Sequence, residues 1–349
     1  MLQHEKYMQR CLEIARLGIG AVSPNPMVGA VIVYENSIIG EGYHQQYGTA
    51  HAEVNAINSV LANYPNGHDL LKRSTIYVSL EPCAHFGKTP PCADLIISNE
   101  IPTAVIGCRD PFDQVNGKGI DKLREAGINV TTGVLEQECL QLNRRFFTRV
   151  QKQRPYIILK WAQSKNGFFA PADGKQKWIT SAVSRKLVHR WRSEEDAIMV
   201  GKNTALADNP QLNVREWTGK DPVRIVVDRR LELPRSLRVF DQKQRTIVFN
   251  SITTETEGVT KFIQLEDFDH YLPQLIAYQL YILDIQSVII EGGVQTLELF
   301  IRAGLWDEAR VFTGPEEWQG GLKAPELPVK PAETVHLSVD DLTFYYNHN

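Results

Sequence analysis

The chain has 349 residues, enough for two ordinary domains that each bury a core. Hydrophobic residues make up 43%, charged residues 23%, and the net charge is −3; this excludes a nucleic-acid-coating surface but leaves room for a local pocket that binds one phosphate. Five irregularly spaced cysteines argue against a disulfide framework, and neither a signal peptide nor a run of about 18 apolar residues is seen, so a reducing cytoplasm with no membrane and no nucleic-acid partner is expected.

Along the first 150 residues, helix and strand signals alternate. Met8, Cys11, Leu12 and Ala15 recur at helical spacing, with Gly18 as a stop. MVGAVIVY (27–34) reads as a strand that turns at Glu35-Asn36 into SIIGEGYH (37–44). HAEVNAINSVLAN (51–63) is helical, TIYVSL (75–80) a buried strand, CADLIISNE (92–100) a helix and TAVIGC (103–108) a strand. GIDKLREAG and LEQECLQLNRRFF close the series as helices. TRVQKQRP (148–155) is polar and basic and reads as an exposed linker. A second alternating series then runs from YIILKW through SAVSRKLVHRWRSE, DAIMVG, PVRIVVD, RTIVFN, a helix near 267–281, SVIIEGG and VQTLELFIRAG, with LTFYYN (342–347) as a closing strand. Such alternation predicts sheets covered by helices on both faces.

The chemistry of the first half sits at His51-Ala52-Glu53 and at Glu81-Pro82-Cys83, whose cysteine is followed after eight residues by Cys92. In mid-helix, His51 and Glu53 would point roughly 200° apart, but at a helix N-terminus both can converge on one point. Cys83 follows a strand, and Cys92 opens a helix, where unpaired N–H groups favour a thiolate. His51, Cys83 and Cys92 would give zinc one nitrogen and two sulfurs, with the fourth position open to a water whose pKa the metal lowers. Glu53 is then the carboxylate placed to move protons, the arrangement of zinc nucleobase deaminases. Singly, a histidine before a helix is ordinarily a cap and a cysteine a small buried hydrophobe; Cys11, Cys108 and Cys139 fit the latter.

Two residues between the cysteines is the common deaminase spacing, and here the insert is AHFGKTPP. EPCAHFGKTPPC, with PNPMVGAVIV and GYHQQYGTAHAEVNAI before it, resembles the bifunctional riboflavin-biosynthesis deaminase/reductase family, which carries this long loop. The resemblance implies a substrate pyrimidine bearing a phosphoribosylamino group, contacted by Asn25, His44, Lys88 and Thr89.

In the second half no G-x-G-x-x-G follows a strand, and Glu291-Gly292-Gly293 at a strand-to-helix turn is the one local phosphate signal. WITS, GKNTALADNPQLNVR and IIEGG resemble the reductase half of the same family, which implies a dihydrofolate-reductase-like fold and NADPH. By that resemblance Ala162, Trp178, Thr204, Asp208 and Gly293 take cofactor positions, and Arg192, Leu212, Arg215 and Glu291 substrate positions, the arginines facing phosphate. Departures from the family stand at Asn166 in Ser164-Lys165-Asn166-Gly167, at Gln176 and at Arg229.

The resulting expectation is an α/β protein with a cytidine-deaminase-like three-layer domain over 1–147, binding one zinc ion, and a dihydrofolate-reductase-like domain over 148–349, binding NADPH. The substrate is a phosphorylated pyrimidine, and homo-oligomerisation is left open. Two alternatives remain at this level: a zinc deaminase whose second domain only binds or is inactive, and zinc as a structural clip with His85 as fourth ligand.

Overall fold

Period-two burial along the strands decides the architecture of the first of two units. The computed structural model describes residues 2–84, 90–112, 116–173 and 179–347, and the chain folds as the compact units Met1–Gln153 and Arg154–Asn349. The first contains α1 (Leu2–Ala15), β1 (Gly29–Tyr34), β2 (Ser37–Tyr43), α2 (Ala52–Asn63), α3 (Gly67–Leu71), β3 (Thr75–Leu80), α4 (Cys92–Ser98), β4 (Thr103–Cys108), α5 (Lys118–Glu125), β5 (Asn129–Thr132), α6 (Glu136–Leu142) and α7 (Arg144–Lys152). The five strands form one sheet in the order β2-β1-β3-β4-β5. β1 pairs antiparallel with β2 and β3, and β3, β4 and β5 run parallel. The β1–β2 hairpin turns at Glu35 and Asn36, both left-handed at φ 46° and 63°, which matches the twist of a two-residue hairpin turn.

Alternate strand residues face opposite layers. Ala30, Ile32, Ile76, Val78, Ala104 and Ile106 join the core that contains Ala56 and Val60 of α2, Ile96 of α4 and Leu123 of α5. Val31, Val33, Tyr77 and Val105 join the other, with Met8 and Leu12 of α1, Leu142 of α6 and Phe147 of α7. α2 lies close on β2 because Gly42 leaves it room: a Cβ there would fall 2.3 Å from the nitrogen of Ala56 and 2.5 Å from the carbonyl oxygen of Ala52.

The second unit contains β6 (Tyr156–Gln163), β7 (Phe168–Pro171), α8 (Ala182–Glu194), β8 (Ala197–Gly201), α9 (Lys202–Asp208), β9 (Val223–Val227), β10 (Thr246–Asn250), β11 (Glu255–Glu257), β12 (Thr260–Gln264), α10 (Leu272–Ile282), β13 (Ser287–Glu291), α11 (Val294–Arg302), β14 (Glu308–Thr313), β15 (Gly321–Lys323), β16 (Glu333–Leu337) and β17 (Asp340–Tyr346). Ten strands form a sheet in the order β11-β12-β10-β9-β8-β13-β6-β14-β17-β16, and β7 pairs with β15 separately. Ile157, Leu159 and Trp161 pack with Ile276 of α10 and Leu297 of α11, while Tyr156 and Ile158 pack with Val188 and Trp191 of α8. LTFYY of the expected closing segment lies within β17, which pairs with β14. None of the described helices is long and apolar enough to cross a membrane.

Two expectations are corrected. The segment read as an exposed linker continues as α7 to Lys152, and Arg154 is buried, its guanidinium donating to both carboxylate oxygens of Asp307 at 2.6 and 2.9 Å. LEQECLQLNRRFF is two helices rather than one, broken at Asn143. The break has a cause: the buried Asn143 amide accepts the Met27 N–H and donates to the Met27 carbonyl, both at 2.8 Å. Asn143→Ala leaves both backbone groups without this partner and is expected to cost about 2 kcal/mol. It should appear as an earlier unfolding transition of the first unit on heating; an unchanged transition would contradict the clamp.

Candidate active sites

The first site forms where three element boundaries meet. His51 is the N-cap of α2, in extended backbone at φ −72° and ψ 166°, so its ring can turn toward the space beside Glu53 instead of opposing it. Cys83 lies in the loop after β3, and Cys92 is the first residue of α4. The Cys92 N–H donates to Cys83 Sγ at 3.3 Å. His51 Nδ1 lies 3.7 Å from Cys83 Sγ and 3.3 Å from Cys92 Sγ. Tetrahedral zinc with ordinary zinc–sulfur and zinc–nitrogen distances would place nitrogen and sulfur roughly 3.5 Å apart, so the trio fits the ion. Among the described residues, this trio is the cluster able to hold a metal, and Glu53 stands outside it. His85 lies outside the described residues.

The electrostatics suit the donor set. The Cys83 thiol is pushed down, most by its hydrogen bond with the Cys92 thiol, which outweighs burial, and Cys92 is pushed up by the same bond and by burial. One of the pair is therefore poised as a thiolate, and a metal bound to both sulfurs displaces the second proton. His51 is raised, chiefly by hydrogen bonding with Cys83 against the effect of burial. Glu53 is buried; burial, then the charge of Cys83, pushes its carboxyl up to about 7. A carboxyl in that range can both accept and release a proton near neutral pH.

Asn25, His44, His51, Glu53 and Cys83 line one cavity of about 310 Å³. His44 Nδ1 lies 3.1 Å from the carbonyl of Ala50 and Nε2 3.1 Å from Asn25 Nδ2. The carbonyl only accepts and the Asn25 amide only donates, so Nδ1 carries the proton and Nε2 accepts. Burial pushes His44 down, toward that neutral form. Lys88 and Thr89 lie outside the described residues.

Sequence reasoning missed Glu81. Its buried carboxylate accepts four backbone N–H groups, from Asp110 at 3.3 Å, Gly117 at 3.0 Å, Gly119 at 2.9 Å and Ile120 at 3.3 Å. It fastens the loop that delivers Cys83 to the start of α5. A glutamate directly after an apolar strand was the available signal.

In the second unit, Ala162, Arg192, Thr204, Asp208, Leu212, Arg215 and Glu291 line one cavity of about 540 Å³. Gly293 lines a neighbouring cavity of about 670 Å³ that shares Thr204 with it. Trp178 lies outside the described residues. Both cavities lie at the carboxyl ends of β8 and β13, where the strand order reverses and α/β sheets bind their ligands. Gly292 and Gly293 turn there at φ 85° and 70°, and a Cβ on Gly292 would fall 2.9 Å from Thr204 Cγ2. Side chains are excluded, so backbone N–H groups at the start of α11 face the cavity.

Five cations (Lys160, Arg185, Arg192, Arg215 and Arg238) line the cavity of Glu291, against two carboxylates, Asp208 and Glu291. Arg192 is not surface charge: its Nη2 and Nε donate to the two oxygens of Glu291 at 2.8 and 3.3 Å, and Nη1 donates to the Asn213 carbonyl at 3.3 Å. Burial opposes ionisation of Glu291, but Arg192 and Lys160 overcome it and hold the carboxyl down at about 2. Lys160 Nζ lies 3.8 Å from Glu291 and was also missed, although a lysine inside the buried strand YIILKW is a readable anomaly. Arg229 pairs with both oxygens of Asp269, at 2.6 and 2.7 Å, on the wall of the Gly293 cavity.

The geometry sets an expectation for metal content. Purified protein should carry one zinc ion per chain; Cys83→Ser and Cys92→Ser should lose most of it, and Glu53→Gln should keep it. Loss of zinc from Glu53→Gln would make the carboxylate a ligand after all.

Both units match known protein families. Residues 1–108 match the zinc-binding region of cytidine and deoxycytidylate deaminases, and residues 155–327 match the RibD C-terminal domain. Riboflavin biosynthesis protein RibD of Aquifex aeolicus is 41% identical over 333 residues, covering 94% of this chain and 92% of that one. The solved diaminohydroxyphosphoribosylaminopyrimidine deaminase/5-amino-6-(5-phosphoribosylamino)uracil reductase of Thermotoga maritima shares 38% identity at a TM-score of 0.90, covering 99% of each chain. Acinetobacter baumannii RibD shares 30% at 0.88, covering 100% of this chain and 99% of that one. The chain belongs to the RibD family, bifunctional enzymes of riboflavin biosynthesis in which a zinc-binding deaminase unit precedes an NADPH-using reductase unit.

Proposed function

We propose that the first unit hydrolyses an exocyclic amine of diaminohydroxyphosphoribosylaminopyrimidine, and that the second reduces the ribosyl group of the product, in the cytoplasm. The observation that supports the first step is the trio His51, Cys83 and Cys92 with the buried carboxyl of Glu53 standing outside it. Zinc, when held there, lowers the pKa of a bound water. Glu53 takes a proton from the attacking water and passes it to the departing nitrogen. A carbon–oxygen bond forms, the carbon–nitrogen bond breaks and ammonia leaves. Asn25 and His44 line the cavity that takes the ring, His44 orienting the Asn25 amide, and Lys88 and Thr89 are assigned to the same substrate on sequence grounds.

In the second unit NADPH, when bound, supplies hydride to the ribosyl C1′. Thr204, Asp208, Ala162 and Gly293 line its place, and Trp178 is assigned to it on sequence grounds. Leu212 borders the substrate, and Arg215 meets the substrate phosphate. Arg192, anchored by Glu291, offers its remaining N–H groups to the same end. Positioning of nicotinamide against sugar supplies most of the acceleration.

The test follows nicotinamide absorbance with NADPH and the undeaminated substrate. Glu53→Gln should abolish consumption, and the deaminated intermediate should restore it. Glu291→Ala should fail with either compound while still releasing ammonia from the first. Consumption by Glu53→Gln from the undeaminated substrate, at the wild-type rate, would overturn the assignment.

A further inference from the structure

We propose that His189 is a positioning residue of the reductase step, fixing the backbone of Arg215 so that its guanidinium meets the substrate phosphate; this rests on the phosphate reading of Arg215 above. His189 projects from α8, is 3% exposed and lines the same cavity as Arg192, Arg215 and Glu291. Its Nδ1 accepts the N–H of Arg215 at 3.3 Å, and Nε2 faces Glu216 Oε1 at 3.8 Å. Acceptance at Nδ1 requires a neutral ring with its proton on Nε2. Burial, then the charges of Arg192 and Arg215, push the imidazole down to about 4, which keeps it in that form.

The need for such a tie shows in the contrast between the two arginines. Arg192 is held at its tip by Glu291 and the Asn213 carbonyl. Arg215 is half-exposed, and among the described residues its guanidinium makes only long contacts, 3.5 Å to Asn213 Oδ1 and 4.0 Å to Glu216. It is located from its base. His189 holds the base; the loop around it is closed on itself by the Val214 N–H, which donates to Asp221 Oδ1 at 2.7 Å, and is drawn onto α8 where Gly219 approaches Ser193 so closely that a Cβ would fall 2.5 Å from the Ser193 Cβ.

The experiment measures steady-state reduction by the full chain, with NADPH, of the deaminated phosphorylated intermediate and of its dephosphorylated counterpart. Arg215→Ala should lower the preference for the phosphorylated compound. His189→Leu should raise KM for that compound about tenfold, the scale of one charge-assisted hydrogen bond, with kcat and the KM for NADPH within about twofold. His189→Gln, whose amide cannot reach the Nδ1 position, should behave the same way and serves if the leucine variant does not fold. His189→Asn, which can present an oxygen there, should restore most of the affinity. In the Arg215→Ala background, His189→Leu should add nothing. A loss of kcat with KM unchanged, an equal loss for both compounds, or additivity with Arg215→Ala would overturn the proposal. If Arg215→Ala discriminates and His189→Leu and His189→Gln do not, the proposal fails alone. If Arg215→Ala does not discriminate, the phosphate reading fails with it.

Discussion

A strand covered by helices on both faces has no place for an unpaired polar side chain, because burying one without a partner costs several hydrogen bonds' worth of free energy. Polar chemistry is therefore driven to strand ends, where helices begin and backbone N–H groups stand unpaired. Both sites obey this. In the first unit, β3 is buried to Leu80, its Ser79 hydroxyl met by the Gly29 N–H, and the charged chemistry starts at Glu81. His51 and Cys92 stand at the starts of α2 and α4. In the second unit the cavities open at the ends of β8 and β13, against the starts of α9 and α11.

Where charge does enter the interior it is matched. Glu81 is met by four N–H groups, and Glu291 by Arg192 with Lys160 nearby. These pairs are not ornaments of stability, since a buried ion pair contributes little against an apolar replacement of equal volume. Their use is geometric. Glu81 fixes the loop that carries Cys83, and Glu291 fixes the guanidinium of Arg192 at the cavity wall. Glu53 differs: burial, then the charge of Cys83, outweighs the opposing effects of His51, its own backbone N–H and Cys92, and its carboxyl is raised.

The zinc trio and Glu53 were legible in the sequence because their spacing crosses element boundaries that the apolar periodicity also marks. The helix-covered sheet followed from the alternation of strand and helix signals along the chain. What stayed hidden depends on partners distant in sequence. Asn143 looks like any residue inside a helical run until Met27 is seen against it. Arg192 looks like surface charge within HRWRSEED until Glu291, 99 residues on, closes over it. Asn166, a departure from the family pattern, also has a local reason. Its Oδ1 accepts the Trp318 N–H at 3.1 Å and its Nδ2 donates to the Trp318 carbonyl at 2.8 Å, and an aspartate could not do the second. Gln176 lies outside the described residues.

The central claim is that three protein ligands hold the metal and leave a fourth position for chemistry. Zinc K-edge X-ray absorption of the full-length protein tests it most directly. One nitrogen at about 2.0 Å, two sulfurs at about 2.3 Å and one light oxygen scatterer are the predicted shell. A second imidazole in place of that oxygen would mean a closed structural site and would contradict the account.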